Sequence, residues 1–154
     1  MSHYYLDTSA LVKYYVSETG SGWVRALIRA TPQPLLVVSH IVPVEVFSAL
    51  TRRLREEALT AEDFSLASSA FWRDYLNQFQ IVIATAPIIN AACELLERRS
   101  LRAFDAIHLA VALEANRSLV SHGRAPLVFL SADDRLNHAV SAEGLAVDNP
   151  NLYP

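Results

Sequence analysis

Four acidic residues stand in places a solvated surface charge does not need. Asp7 ends the apolar, β-prone run Tyr4-Tyr5-Leu6 and is followed by two hydroxyls, Thr8 and Ser9. Glu45 lies among Val44, Val46 and Phe47. Asp105 opens Asp105-Ala106-Ile107-His108-Leu109-Ala110-Val111-Ala112, a nearly uncharged helical pattern. Asp133 follows the apolar run Leu127-Val128-Phe129-Leu130. A carboxylate buried without partners is expensive. Each has an ordinary explanation by itself: Asp7, Asp105 and Asp133 as helix caps, Glu45 as a surface or capping-box acid. Brought together they have a different one. Clustered carboxylates raise one another's pKa unless something positive neutralises them. Oxygen donors without Cys or paired His suit a hard cation, Mg²⁺ or Mn²⁺. Such an ion, completed by phosphate oxygens of a substrate, activates water and offsets developing charge in phosphodiester hydrolysis.

The surrounding elements must bring the acids together. The run to Leu6 predicts a strand that delivers Asp7, with Thr8 or Ser9 capping the helix that begins at Ala10. A short helix follows from Trp23 to Ala30, broken by Thr31-Pro32-Gln33-Pro34. Leu35-Leu36-Val37-Val38 is a continuous apolar run, as in a strand buried on both faces. Ser39 is placed to cap the helix after it, with Pro43 in the first turn. Val42, Val46, Leu50 and Leu54 recur at helical spacing, and Glu45 falls in the first turns of that helix. Thr60-Ala61-Glu62-Asp63 starts a longer helix through Leu76. Phe79 to Ile83 predicts a third strand, Leu127 to Leu130 a fourth and Leu145 to Val147 a last short one. Helices over 88–99 and 103–116 lie between the third and fourth, and a short helix follows Ser131. Strands alternating with helices mean a parallel sheet covered on both faces. Residues just after the strands of such a sheet gather at one edge.

The 154 residues suit one domain over 1–154, and 52% hydrophobic against 19% charged is an ordered composition. No run approaches the ~20 apolar residues of a membrane span. There is no signal-peptide pattern, and a single Cys93 excludes an intrachain disulfide or a Cys-rich zinc site. A cytoplasmic protein is expected, with Cys93 as a small core residue. The formal net charge of −3 lacks the basic excess of many nucleic-acid binders. The arginines are grouped, however: Arg52, Arg53 and Arg55; Arg98, Arg99 and Arg102; then Arg117, Arg124 and Arg135. They read first as solvated helix faces, and bound divalent cations would reverse the local charge balance. No Ser–His–Asp or Cys–His arrangement and no Gly-rich phosphate loop is present.

The chain resembles the PIN-domain family, in particular the VapC-type toxin ribonucleases of toxin–antitoxin pairs. The resemblance covers essentially the whole chain. It rests on Leu6-Asp7-Thr8-Ser9-Ala10-Leu11, on Val44-Glu45-Val46-Phe47-Ser48-Ala49-Leu50, on Leu101-Arg102-Ala103-Phe104-Asp105-Ala106-Ile107-His108-Leu109-Ala110, and on Leu130-Ser131-Ala132-Asp133. It implies a three-layer α/β/α sandwich with a five-stranded parallel sheet in order 3-2-1-4-5. It implies a Mg²⁺- or Mn²⁺-dependent endoribonuclease that leaves 5′-phosphate and 3′-hydroxyl ends. Asp7, Asp105 and Asp133 would be direct or water-bridged metal ligands, and Glu45 would hold the metal with them or orient water. Ser9 and Ser131 occupy the positions of supporting hydroxyls, Ser131 where Thr is commoner. Spacing favours Asp133 over Asp134. His108, one helical turn after Asp105, reads as a hydrogen-bonded packing histidine.

The resemblance further implies an RNA substrate, a homodimer and a small antitoxin that blocks the site. Promoter DNA would be met only through that antitoxin. The aromatic segment Phe64 to Leu76 is a candidate surface for either protein partner, with core packing as the plainer reading. The competing reading is a PIN-like module without activity that binds RNA or acts as a scaffold. A haloacid-dehalogenase-type phosphatase fits poorly, because its second acid would fall at Ser9.

Overall fold

The computed structural model describes residues 1–154. Five strands form one sheet: β1 (His3–Leu6), β2 (Leu35–Ser39), β3 (Gln80–Val82), β4 (Val128–Leu130) and β5 (Ala146–Asp148). Their order is β3-β2-β1-β4-β5 and every pairing is parallel, as expected from the resemblance. β1 is therefore central, with Tyr5 level with Val37 on one side and Phe129 on the other.

The seven helices are α1 (Thr8–Tyr15), α2 (Ser21–Ile28), α3 (Val42–Arg55), α4 (Ala61–Asn77), α5 (Ala86–Arg98), α6 (Ala103–Ser121) and α7 (Asp134–Ala142). Alternation along the strands sorts them into two layers. Leu6, Leu36, Val38 and Leu130 face one way, into a core completed by α1 to α4. Tyr5, Val37 and Phe129 face the other way, against Ile88, Ala92 and Leu95 of α5, Leu109 of α6 and Leu136 of α7. Both sheet faces are thus dry, which is why the strands read as unbroken apolar runs.

Several local expectations are corrected. Asp7 itself caps α1, in extended conformation, and accepts from the Ser9 amide; Thr8 is the first helical residue. α3 has no side-chain cap, because its N-cap is Ile41. Arg102, not Asp105, precedes α6, and Asp105 lies in its first turn. Cys93 is exposed. The inward stripe of α5 is Ile88, Ala92 and Leu95, and position 93 falls off it. The Phe64–Leu76 segment divides: Ala67 and Phe71 are buried, whereas Leu66, Trp72 and Leu76 are exposed. Thr60 caps α4 as expected, accepting from the Asp63 amide.

After β5 the chain makes a 3-10 turn over Pro150–Leu152 and stacks Tyr153 on Trp23 of α2 at 4.4 Å. Gly20, with φ +82, brings the chain so close beneath this tail that a Cβ there would lie 2.3 Å from the Pro150 carbonyl oxygen. No helix is long and apolar enough to cross a membrane.

Candidate active site

Asp7 leaves the end of the central strand, and its amide still donates to the Leu130 carbonyl at 3.0 Å. Its carboxylate is held by two hydroxyls. Ser9 Oγ donates to Oδ2 at 2.6 Å and Ser131 Oγ at 2.9 Å. Each hydroxyl also accepts a backbone amide from the loop after β4, Ser9 from Ala132 and Ser131 from Asp133. The ends of β1 and β4 are therefore laced together around Asp7, which is 5% exposed.

Asp133 caps α7, with Oδ1 accepting from the amides of Arg135 and Leu136 at 2.9 and 3.2 Å. Asp134 turns the other way and accepts from Asn149 Nδ2 at 2.7 Å. Asp105 accepts from the Arg135 guanidinium at 3.2 Å. Glu45 projects from the first turn of α3 to His108, whose Nε2 lies 2.5 Å from Glu45 Oε1 and 3.7 Å from Asp7 Oδ1. His108 is completely buried, and its Nδ1 faces the hydroxyl of Tyr5 at 2.7 Å.

The groups feel one another electrostatically. Burial raises the Asp105 pKa, and the charges of Asp7 and Asp133 raise it further; the Arg102 amide and the Arg135 cation oppose this only in part. For His108, burial opposes the charged ring. The Glu45 hydrogen bond and the charges of Asp7, Glu45 and Asp105 outweigh it, so the pKa is raised. Burial, then Asp7 and Glu45, push the Tyr5 phenol well above its ordinary range. Four separate segments of chain thus build one anionic field at one edge of the sheet.

The donor set suits a hard cation with open coordination positions. No three His, Cys, Asp or Glu side chains close a cage by themselves. Mg²⁺ commonly takes one or two carboxylates and keeps several waters. The His108 nitrogens are turned to Glu45 and Tyr5, so this imidazole is no ligand. Beside the acids, Arg98, Arg99, Ser100, Arg135, His138 and Ala139 line a cleft of about 390 Å³. A larger hollow of about 600 Å³, with Ile88, Leu95 and Leu113 in its walls, has none of the four acids among its lining residues.

A family model described as "PIN domain" matches residues 4–139. This chain belongs to the PIN-domain family. Among curated PIN relatives it is 33% identical to Ribonuclease VapC45 of Mycobacterium tuberculosis (strain CDC 1551 / Oshkosh) over 150 residues, 97% of each chain. Ribonuclease VapC49 of Mycobacterium tuberculosis (strain H37Rv) matches at the same identity and coverage. The fold is similar to that of VapC20 of Mycobacterium tuberculosis, a Sarcin-Ricin loop cleaving toxin, with a TM-score of 0.62 at 20% identity over 97% of this chain and 98% of that one. It is also similar to a chain in VapBC2 of Rickettsia felis bound to a promoter DNA fragment, with a TM-score of 0.60 at 13% identity over 95% and 97%.

The sequence does not single out Tyr5 in this PIN domain, and offers Arg135 only as one of several grouped arginines that are either solvated or available to an RNA backbone. The signal for Tyr5 was available: a tyrosine in a strand buried on both faces needs a partner for its hydroxyl. Nothing in the sequence pairs Arg135 with a residue thirty positions away.

Proposed function

We infer that this PIN domain is the ribonuclease toxin of a VapBC-type toxin–antitoxin pair, a Mg²⁺- or Mn²⁺-dependent endoribonuclease. The observation that carries this reading is the meeting of Asp7, Glu45, Asp105 and Asp133 at one edge of the sheet, with Ser9 and Ser131 fixing Asp7. Asp7, Asp105 and Asp133 would hold the metal directly or through water, and Glu45 would orient water. Bound there, the ion would supply Lewis acidity for phosphodiester hydrolysis. Water attacks phosphorus and forms the new P–O bond as the bond to the 3′ oxygen breaks; that oxygen takes up a proton, leaving 5′-phosphate and 3′-hydroxyl ends. Ser9 and Ser131 keep Asp7 in place without reorganisation. The basic cleft of Arg98, Arg99, Arg135 and His138 takes phosphates of the flanking strand, which makes RNA binding salt-sensitive. Curated relatives of the same length carrying the name ribonuclease support the activity, and a VapBC assembly among the similar folds supports an antitoxin partner. A homodimer, and promoter DNA reached only through the antitoxin, belong to the same reading. Leu66, Trp72 and Leu76, exposed on α4, offer an apolar face to a protein partner.

The test is cleavage of total cellular RNA by the purified protein, freed of any antitoxin. Incubations contain Mg²⁺, Mn²⁺ or chelator, Asp7→Asn runs in parallel, and the ends are mapped by sequencing. Discrete cuts that need the metal and vanish in the variant are expected. Equal cutting by a folded Asp7→Asn protein refutes the assignment, and no cutting by either favours the inactive binding module.

A further inference from the structure

We propose that Tyr5 and His108 are positioning residues that hold Glu45 at the acidic edge through a buried line of hydrogen bonds. The proposal rests on the nuclease reading for what Glu45 does, and on geometry alone for how it is held.

Glu45 is the acid least restrained by its own segment. Asp7 and Asp133 both cap helices, and Asp7 is clasped by two hydroxyls. The Glu45 side chain is 19% exposed, rises from the first turn of α3 and has His108 as its hydrogen-bond partner. A glutamate has three rotatable bonds, so an unanchored one samples several rotamers. His108 removes that freedom. An ionised carboxylate only accepts, so the Nε2 that faces it carries the proton and donates. That leaves Nδ1 for Tyr5. Nδ1 lies 2.7 Å from the Tyr5 hydroxyl, accepting from it in the neutral ring and donating to it in the charged one. In either state Nε2–H points to Glu45, and both ring nitrogens are satisfied.

The far end of the line is anchored in the core. Tyr5 is completely buried on the central strand, its ring stacked on Phe129 at 5.0 Å and edge-on to His108 at 5.8 Å. Tyr5 also lies two residues before Asp7, which directly follows the same strand. One strand therefore fixes Asp7 directly and Glu45 at two removes. Partners of this kind, behind residues that hold a metal, typically account for about 10–100-fold in affinity or activity.

The experiment combines NMR with a double-mutant cycle on the full chain. Without RNA or metal, ¹H–¹⁵N spectra of the His108 ring are expected to show a protected Nε2–H that shifts in both Tyr5→Phe and Glu45→Gln. Absence of that resonance, or its indifference to either variant, overturns the proposal whether or not the protein cuts RNA. In cleavage assays His108→Leu and Tyr5→Phe are expected to lower kcat about tenfold with KM little changed. His108→Gln, which retains a donor near the Nε2 position, recovers part of the loss. His108→Leu added to Glu45→Gln costs nothing beyond Glu45→Gln alone, since His108 acts through Glu45. Additive losses, or wild-type kcat in a folded His108→Leu, overturn it. Tyr5→Phe leaves the ring packing in place and covers the case in which His108→Leu fails to fold. A wild-type protein that cuts nothing, with the resonance intact, refutes the nuclease reading instead.

Discussion

The Arg135 guanidinium donates to the Asp105 carboxylate across 3.2 Å, while the Arg135 amide donates to Asp133 Oδ1 at 2.9 Å. One residue at the start of α7 thus bridges two of the four acids. It gives the anionic edge a cation from the chain itself, in the place where the nuclease reading puts a divalent ion.

Arg135→Gln is therefore expected to leave the acids less neutralised. Melting temperature in chelator falls slightly. Added Mg²⁺ or Mn²⁺ restores more than it does in the wild type, because an ion that binds only the native state stabilises in proportion to its affinity. Thermal melts across a metal titration read this directly. An unchanged metal midpoint would show that the guanidinium and the ion do not compete.

A buried carboxylate on α4 has a hydroxyl as one of its two donors. Asp74 of α4 is 1% exposed and accepts from Tyr15 at 3.0 Å and from the exposed Arg73 at 3.1 Å. Tyr15→Phe leaves this buried acid short of a partner, at a cost of about 1–3 kcal/mol. Urea unfolding should show a lower midpoint with an unchanged slope, and Asp74→Asn combined with it should recover part of the difference.

Glu143 is drawn below the ordinary glutamate range, chiefly by its hydrogen bond with Arg98 and with help from Arg99. A depressed folded pKa contributes stability that is present above the unfolded value of about 4.3 and lost as pH falls through the folded value. Glu143→Gln is expected to melt below the wild type at pH 7. The gap should close as the pH is taken below the glutamate range, and narrow in high salt.

Gly20→Ala is a backbone test. The left-handed conformation alone costs a residue with a Cβ roughly 1–2 kcal/mol, and the new methyl meets the Pro150 carbonyl. The tail should detach, unstack Tyr153 from Trp23 and become open to carboxypeptidase while the rest of the fold persists.

The parts legible in sequence were those whose signal is local. β1, β2 and β4 announce themselves as apolar runs because helices cover both faces. Asp7, Glu45, Asp105 and Asp133 stand out because each interrupts an apolar context. The capping of α1 went to Asp7 rather than to Thr8 or Ser9, since an acid can end a strand and start a helix with the same side chain. What sequence could not give were long-range pairings. Tyr15 and Asp74 are 59 positions apart, Tyr5 and His108 are 103. The apolar surroundings of Tyr5 and His108 say that each needs a partner, and only the sheet decides which. The exposure of Cys93 is not legible in sequence, because a helix of mixed composition shows its inward stripe only once packed.

The lacing of Ser131 to Asp7 spans 124 residues. A growing chain emerges from the ribosome in order, so β1 appears early and waits for β4 to complete its second edge. Until then Asp7 lacks the Leu130 carbonyl for its amide and the Ser131 hydroxyl for its carboxylate, and Asp133 has not yet been made. On the nuclease reading, a nascent polypeptide has no assembled cutting edge until synthesis has passed Asp133. The order of synthesis would then hold back cutting until both ends of this lacing exist.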